Sequence, residues 1–534
     1  MTRELPRIKT NSQQFINFYV LFTLLVYNGS FFEKLQAIDN NLLFMLCGTI
    51  IIYGVLNIIL NLLFVTERVT KILAISLVIG NAFAYYFMSS YNILIDKVMI
   101  LNVIRTNIYE ASDLFQWKLP FIILGLGIIP ALVISRCTIT FQPWKQELKL
   151  RLKQSGIIAV IIGLIIGISP QRFKDIANNH YELRYALVPS NYIGAIIGVG
   201  KMHKELTRSY QAIATDAYVE KYWHNDKKNL FVFVVGETAR AANFSLGNYQ
   251  RDTNAALKEY KDELIYYPQF YACGTSTAVA VPCMFSKDGR QDFVTGSELN
   301  QGNLTDVMQN NGYHSLWRDN NTGCQDNCNR IEYEEACMGK NCLDNVLLKG
   351  LEDKLKKINQ NTFLVLHQRG SHGPDYFNRY PQDREAPYQP ICKDAGLKSC
   401  SREELLNAYD NSIHYTSEFL QQLIKLLKGF EKDYNIVMIY ASDHGESLGE
   451  GGKYLHAYPY DSAPEEQKHI PALLWFPQST AQDLRINKQC LRRQAESYHS
   501  HDNLFHSFLG LAGIKSSVYK EELDIFAPCQ TRKD

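Results

Sequence analysis

The chain has no surplus of charge of either sign. Over 534 residues, 55 Lys and Arg stand against 54 Asp and Glu, a formal net charge of +1. A domain that grips nucleic acid carries a basic face and a high isoelectric point, so that class is set aside and no nucleic-acid partner is expected. Net charge says little about anionic lipid, which responds to local patches. No internal repeat and no low-complexity segment is present. No convincing small-residue cleavage site follows the first apolar stretch, and more apolar runs come after it. That stretch therefore reads as an uncleaved anchor, not a secretory signal. Cysteine is scarce before residue 170, where only Cys47 and Cys137 occur out of twelve.

What the first 170 residues do have is long apolar runs. Five read as membrane spans: Phe15–Phe32, Leu42–Val65, Ile72–Met88, Leu119–Ile134 and Ser155–Ser169. A span needs roughly 20 apolar residues; the last is short for one, and its flanking charge argues for it. Arg3, Arg7 and Lys9 precede the first span. Arg68 and Lys71 lie between the second and third. Arg136, Lys145, Lys149, Arg151 and Lys153 lie between the fourth and fifth. The other loops are balanced. Lys/Arg excess marks the cytoplasmic side, so the N-terminus is expected inside and everything beyond residue 170 outside.

The remaining ten cysteines fall mostly in close pairs: 273/283, 324/328, 337/342 and 392/400, with 490 and 529 left over. An even count at short spacing outside the membrane points to disulfides in an oxidising compartment. Four thiolates from Cys324, Cys328, Cys337 and Cys342 around zinc are the alternative, and sequence alone does not settle connectivity.

Residues 171–225 read as an interfacial connector with a helix over Lys201–Tyr218, between a transmembrane domain (1–170) and a soluble domain (226–534). In the latter, Leu230–Val235, Phe363–Leu366, Ile436–Tyr440 and Leu473–Phe476 are short apolar runs of strand length. Helical stretches Glu352–Ile358, Arg402–Leu427 and Asp502–Leu511 fall between and after them. Alternation of this kind predicts an α/β domain with a mainly parallel sheet. Residues 318–345 and 376–402 are long polar insertions, a length at which loops are often functional.

Chemistry gathers at the strand ends. Gly-Glu-Thr-Ala-Arg (236–240) and Ser-Asp-His-Gly-Glu-Ser-Leu-Gly-Glu (442–450) each follow an apolar run, as does Ser-His-Gly-Pro (371–374). In open α/β sheets, ligands bind beyond the carboxyl ends of the strands. Glu237, Asp443 and His444 would form an oxygen- and nitrogen-rich set suited to Zn²⁺ or another divalent ion. The run Cys273 to Cys283 offers Thr275, Ser276 and Thr277 as hydroxyl nucleophiles, which metal coordination would activate; spacing does not choose among them. A hydroxyl at a helix start also serves simply as a cap. His372 and His456 lie in Gly/Pro-rich loops, suited to a proton donor or phosphate ligand. His314, His367, His469, His499, His501 and His506 receive no catalytic role.

These motifs, in this order, closely resemble the bacterial phosphoethanolamine transferases that modify lipopolysaccharide, including the lipid A enzyme and the mobile colistin-resistance enzymes. The resemblance runs through the four segments Gly-Glu-Thr-Ala-Arg, Cys-Gly-Thr-Ser-Thr-Ala…Pro-Cys-Met-Phe-Ser, Gly-Ser-His-Gly-Pro and Ser-Asp-His-Gly-Glu…Tyr-Leu-His, and covers essentially the whole chain. It implies a five-span α-helical transmembrane domain followed by an alkaline-phosphatase/sulfatase-like α/β domain. It implies a zinc ion on Glu237, Thr277, Asp443 and His444, with Thr277 as nucleophile. His372 and His456 would hold substrate phosphate or a further zinc. Asn102, Thr106 and Glu110 match a set used near the ethanolamine head group, and their four-residue spacing puts them on one helix face. Trp317–Cys328, with Asp319 and Asn320, looks more like the lipid A enzymes than the inner-core sugar enzymes.

The implied protein is a monomeric, multi-pass enzyme of the Gram-negative inner membrane with a periplasmic catalytic domain. Its donor would be phosphatidylethanolamine, its acceptor lipid A or, alternatively, a core sugar. The added ammonium group would lower the affinity of cationic peptides such as polymyxin. A phosphoglycerol transferase, phosphatase or sulfatase on the same fold is the enzymatic alternative; Cys-Met-Phe-Ser-Lys at 283–287 lacks the Cys/Ser-x-Pro/Ala-x-Arg pattern of sulfatase maturation. A non-catalytic membrane sensor would have no need of Glu237, Thr277, Asp443 and His444 together.

Overall fold

The computed structural model describes residues 8–106, 114, 116–180, 182–206, 209–223, 225–337, 339, 342–394 and 396–531. It divides into two units, Met1–Ile100 with Gln116–Gly198, and Leu101–Phe115 with Val199–Asp534.

In the first unit, among the described residues, Leu42–Leu63, Glu67–Tyr91, Lys118–Arg136 and Trp144–Ile168 are each long and apolar enough to cross a membrane. Outward-facing residues such as Leu62 and Ile168, 70% and 78% exposed, need an apolar solvent. The expected first span, Phe15–Phe32, is interrupted: Ser12–Tyr27 and Gly29–Ile38 are helices bent by 69°. The break falls at Asn28, whose buried amide leaves the helix to pair with Val188, donating to its carbonyl and accepting from its N–H. The expected Ser155–Ser169 is the apolar end of a 25-residue helix. Near the start of that helix Arg151 pairs with Glu147 at 2.9 Å and donates to the carbonyl of Phe64 at 2.6 Å. This satisfies an acceptor left open at the end of Leu42–Leu63.

The predicted helix over Lys201–Tyr218 is corrected. The helix is Ser190–Leu206. Further on, Gln211 donates to Asn300 and Tyr218–Val219 pairs with Ile514–Lys515. Ladder pairing to the rest of the unit outweighs local helix propensity there.

The second unit is built on one eight-stranded sheet. Its strands are β1 Lys228–Gly236, β2 Leu264–Tyr271, β3 His314–Asp319, β4 Glu332–Glu335, β5 Thr362–His367, β6 Tyr434–Ser442, β7 His469–Trp475 and β8 His499–Ser500. Their spatial order is β8-β2-β7-β6-β1-β5-β3-β4, and every pairing is parallel except those of β7. β1 and β6 are buried along nearly their whole length, which explains their unbroken apolar runs. Helix Asp502–Leu511 covers one face, Phe508 packing on Phe233 and Phe363. Five disulfides join Cys273–Cys283, Cys324–Cys328, Cys337–Cys342, Cys392–Cys400 and Cys490–Cys529. The zinc alternative at Cys324, Cys328, Cys337 and Cys342 is therefore closed.

Candidate active site

Because β1, β2, β3, β5 and β6 run the same way, their carboxyl ends share one edge of the sheet. Glu237 leaves β1, Asp443 leaves β6, and the register Gly236↔Ser442 fixes the two side by side. The turn after β1 is strained. Thr238, a β-branched residue, holds a left-handed φ of 59°, costly for such a side chain. Its surroundings hold it there: its N–H donates to Asp443 Oδ1 (3.1 Å), its hydroxyl to Glu237 Oε1 (2.6 Å), and its carbonyl accepts from Tyr409 (2.7 Å). Gly370, at φ +52°, lies against the Glu237 backbone so closely that a Cβ would come 2.4 Å from its carbonyl oxygen.

Thr277 arrives from β2. It is the first residue of helix Thr277–Met284. Its hydroxyl lies 3.1 and 3.2 Å from the two Glu237 oxygens and 3.3 Å from His444 Nε2. Of the neighbouring hydroxyls, Thr275 donates to the Tyr458 carbonyl at 2.5 Å, and the Ser276 oxygen is buried without a hydrogen-bond partner. Thr277 is half-buried, while Glu237, Asp443 and His444 are buried completely.

His444 Nδ1 lies 2.8 Å from the Gly445 carbonyl, so this nitrogen carries a proton and Nε2 turns inward. There it meets Glu237 Oε1 and Asp443 Oδ2, each at 3.3 Å. Burial opposes a charge on His444, yet Asp443 and Glu237 beside it hold it up to about 10. Burial, reinforced by Glu237, pushes Asp443 up to about 7. Glu237 is buried too, but the His444 hydrogen bond and charge hold it well below the usual carboxylate range. Two carboxylates sharing a dry site demand a positive charge. Asp443 Oδ2 is buried with that 3.3 Å ion-pair contact to His444 but no hydrogen bond. Ligand atoms of Glu237, Asp443 and His444 lie within 4.8 Å of one another. This donor set fits a divalent metal ion.

His372 and His456 stand beside it. The His456 ring centroid is 4.4 Å from that of His444 and 5.3 Å from that of His372. His456 Nδ1 lies 3.3 Å from Glu446, and burial pushes its pKa below the ordinary value. Asn102 and Thr106 sit at the end of helix Lys97–Arg105, with Thr106 donating to the Asn102 carbonyl. Between them, Arg105 donates to the Ala278 carbonyl (3.2 Å) and pairs with Glu298 (2.9 Å). Glu110 lies outside the described residues.

Sequence reading missed several neighbours. Asn321 donates to Glu237 Oε2 (2.7 Å) and the Gln368 carbonyl (2.9 Å). His367, at the end of β5, pairs with Asp319 at the end of β3 (2.8 Å) and lies 3.2 Å from Asn321. His501 lies between the segments bearing Thr277 and Asp443. No local pattern marks these residues; the Asp319-Asn320 neighbourhood was the one available signal.

A family model described as sulfatase matches residues 229–514, and one described as phosphoethanolamine transferase EptA/EptB matches residues 52–203. The chain is 35% identical over 531 residues to phosphoethanolamine transferase EptA of Escherichia coli K12, covering 96% of this chain and 95% of that one. It is 34% identical to phosphatidylethanolamine transferase Mcr-1 of Escherichia coli, over 85% and 87% of the two chains. The integral membrane lipooligosaccharide phosphoethanolamine transferase A of Neisseria meningitidis superposes with a TM-score of 0.93 at 32% identity, covering 98% of this chain and 99% of that one. Whole-length likeness at this level, joined to spanning helices and a sulfatase-type domain, decides the assignment: the chain is an integral membrane protein that belongs to the phosphoethanolamine transferase family.

Proposed function

We propose that the chain moves phosphoethanolamine from phosphatidylethanolamine to a phosphate of lipid A, through a covalent intermediate on Thr277. The observation that carries this reading is the hydroxyl of the half-buried Thr277, 3.1–3.3 Å from Glu237 and His444. Glu237, Asp443, His444 and Thr277 would hold a zinc ion, which when bound lowers the pKa of the hydroxyl and offsets charge on the phosphoryl oxygens.

The Thr277 oxygen attacks the donor phosphorus, and its proton passes to water. The bond from phosphorus to the glycerol oxygen breaks, and diacylglycerol leaves after taking a proton. His456 and His372, beside the cluster, would donate that proton or pair with the phosphate. In the second half, an oxygen of the lipid A phosphate attacks the same phosphorus. The bond to Thr277 breaks, and the hydroxyl regains its proton. Asn102, Thr106 and Glu110 would face the ethanolamine head group. A monomer is the proposed working unit. The loop charges and the disulfides support a periplasmic catalytic domain on the inner membrane. The likeness of Trp317–Cys328 to the lipid A enzymes favours lipid A itself over a core sugar.

Mass spectrometry of lipopolysaccharide from a polymyxin-sensitive host expressing the chain or Thr277→Ala tests this. One phosphoethanolamine added to lipid A by the unaltered chain alone supports the proposal. Addition to core sugar, or equal addition by Thr277→Ala, refutes it.

A further inference from the structure

The sheet sets Glu237 beside Asp443, because β1 and β6 are neighbours joined up to Gly236↔Ser442. It does not do the same for Thr277. β2, which delivers Thr277, is separated from β6 by β7, and two strand spacings amount to about 10 Å. The β7 ladder with β6 stops at Ala472↔Ala441, and that with β2 stops at His469↔Tyr271. Beyond those pairs the run before β7 still bonds each side, Ala272 N–H to the Lys468 carbonyl and Gly445 N–H to the Gln467 carbonyl, but among the described residues no backbone bond joins Cys273–Thr277 directly to Ser442–His444.

His501 spans this gap. Edge strand β8 pairs with the end of β2, Ser500↔Tyr271, and His501 continues it, its N–H donating to the Tyr271 carbonyl at 3.0 Å. The side chain is 1% exposed. Nδ1 accepts from the Cys273 N–H at 3.1 Å, and Nε2 lies 2.9 Å from the Ser442 carbonyl. A backbone N–H can only donate and a carbonyl can only accept, so both partners together fix one neutral tautomer, with the proton on Nε2. Burial pushes the imidazole down to about 4, in keeping with that form. Cys273 is also bonded to Cys283 at the far end of the helix that Thr277 opens. The imidazole thus grips the root of a segment whose other end is tied by a disulfide.

We propose that His501 is a positioning residue. Its two hydrogen bonds set the segment bearing Thr277 against the exit of β6, and so hold the nucleophile at the Glu237–Asp443–His444 cluster. It touches neither substrate nor metal. This inference rests on Thr277 being the nucleophile.

The test uses the full chain in detergent micelles with a fluorescent phosphatidylethanolamine, comparing His501→Leu, His501→Asn and His501→Gln, with Thr277→Ala as control. Asn keeps an acceptor near Nδ1 and Gln a donor near Nε2, whereas Leu fills the space and keeps neither. Misplacing a nucleophile by about 1 Å costs about 100-fold. The expected result is a kcat about 100-fold lower for Leu, intermediate kcat for Asn and Gln, and a donor KM within about threefold throughout. A merely space-filling role predicts the reverse order, Leu retaining more activity than Asn or Gln. That order, or Leu within about twofold of the unaltered chain, overturns the proposal. If Leu does not fold, Asn and Gln decide: kcat undiminished in both overturns it. Full activity in Thr277→Ala would sink the nucleophile assignment instead, and the two failures are told apart by that control.

Discussion

The backbone N–H of Thr238 donates to Oδ1 of Asp443 at 3.1 Å, across the turn that aims Glu237 at the same cluster. A strained residue thereby holds both carboxylates, its hydroxyl on one and its N–H on the other. Strain of this kind persists only where the surroundings over-determine it. Thr238→Ala keeps the strain and loses the bond to Glu237. The expected effect is metal affinity about 10- to 100-fold weaker, measured by competition against a chromophoric chelator.

Gly370→Ala places a methyl group 2.4 Å from the Glu237 carbonyl oxygen on a backbone with φ +52°. The backbone conformation alone costs about 1–3 kcal/mol, and the clash displaces Glu237. Lower metal content and a lower denaturant midpoint for the variant are the expected outcomes; the same substitution at exposed Gly163, with nothing within 4 Å of its Cβ, leaves both unchanged.

The charges at the Glu237–Asp443–His444 cluster predict a pH dependence for metal-free protein that a bound divalent ion should suppress. His444, raised from 6.5 to about 10, contributes stability that is full below about 6.5 and lost as pH rises through about 10. Asp443, raised from 3.8 to about 7, is a penalty that grows from about pH 4 to pH 7. Both act in one direction, but the buried neutral His501 and His456 act the other way below about pH 6.5, so the metal-free protein should melt at progressively lower temperature from pH 7 to pH 10. Added Zn²⁺ should flatten that slope. Thermal unfolding of chelator-treated protein across that range, with and without Zn²⁺, provides the comparison.

Cys490–Cys529 closes 39 residues, against 8 for Cys392–Cys400. Loop-closure entropy gives the longer bridge about 4 kcal/mol and the shorter one less. Replacing the first pair by serine should lower the denaturant midpoint more than replacing the second.

The parts of the fold legible in the sequence are those where local pattern and tertiary environment agree. Leu230–Val235 and Ile436–Tyr440 are apolar because both faces are covered, and both prove to be strands. β2 escaped notice because Pro268 interrupts it, where the pairing with β7 slips between Ile470 and Ala472. β3 and β4 are short and partly charged, toward the sheet edge. Glu237, Thr277, Asp443, His444, His372 and His456 stood out because each lies in a motif. Asn321, His367 and His501 did not, since their partners are set by strand order, which no single window contains. The helix break at Asn28 is likewise decided by Val188, 160 residues away.

The central claim is that Thr277 carries the transferred group. The most direct measurement is peptide mass spectrometry of the purified chain after incubation with phosphatidylethanolamine and no acceptor. Phosphoethanolamine on Thr277, discharged when lipid A is added, is the predicted result. Modification at Thr275 or Ser276 instead, or turnover with no modified peptide in a rapid quench, would contradict it.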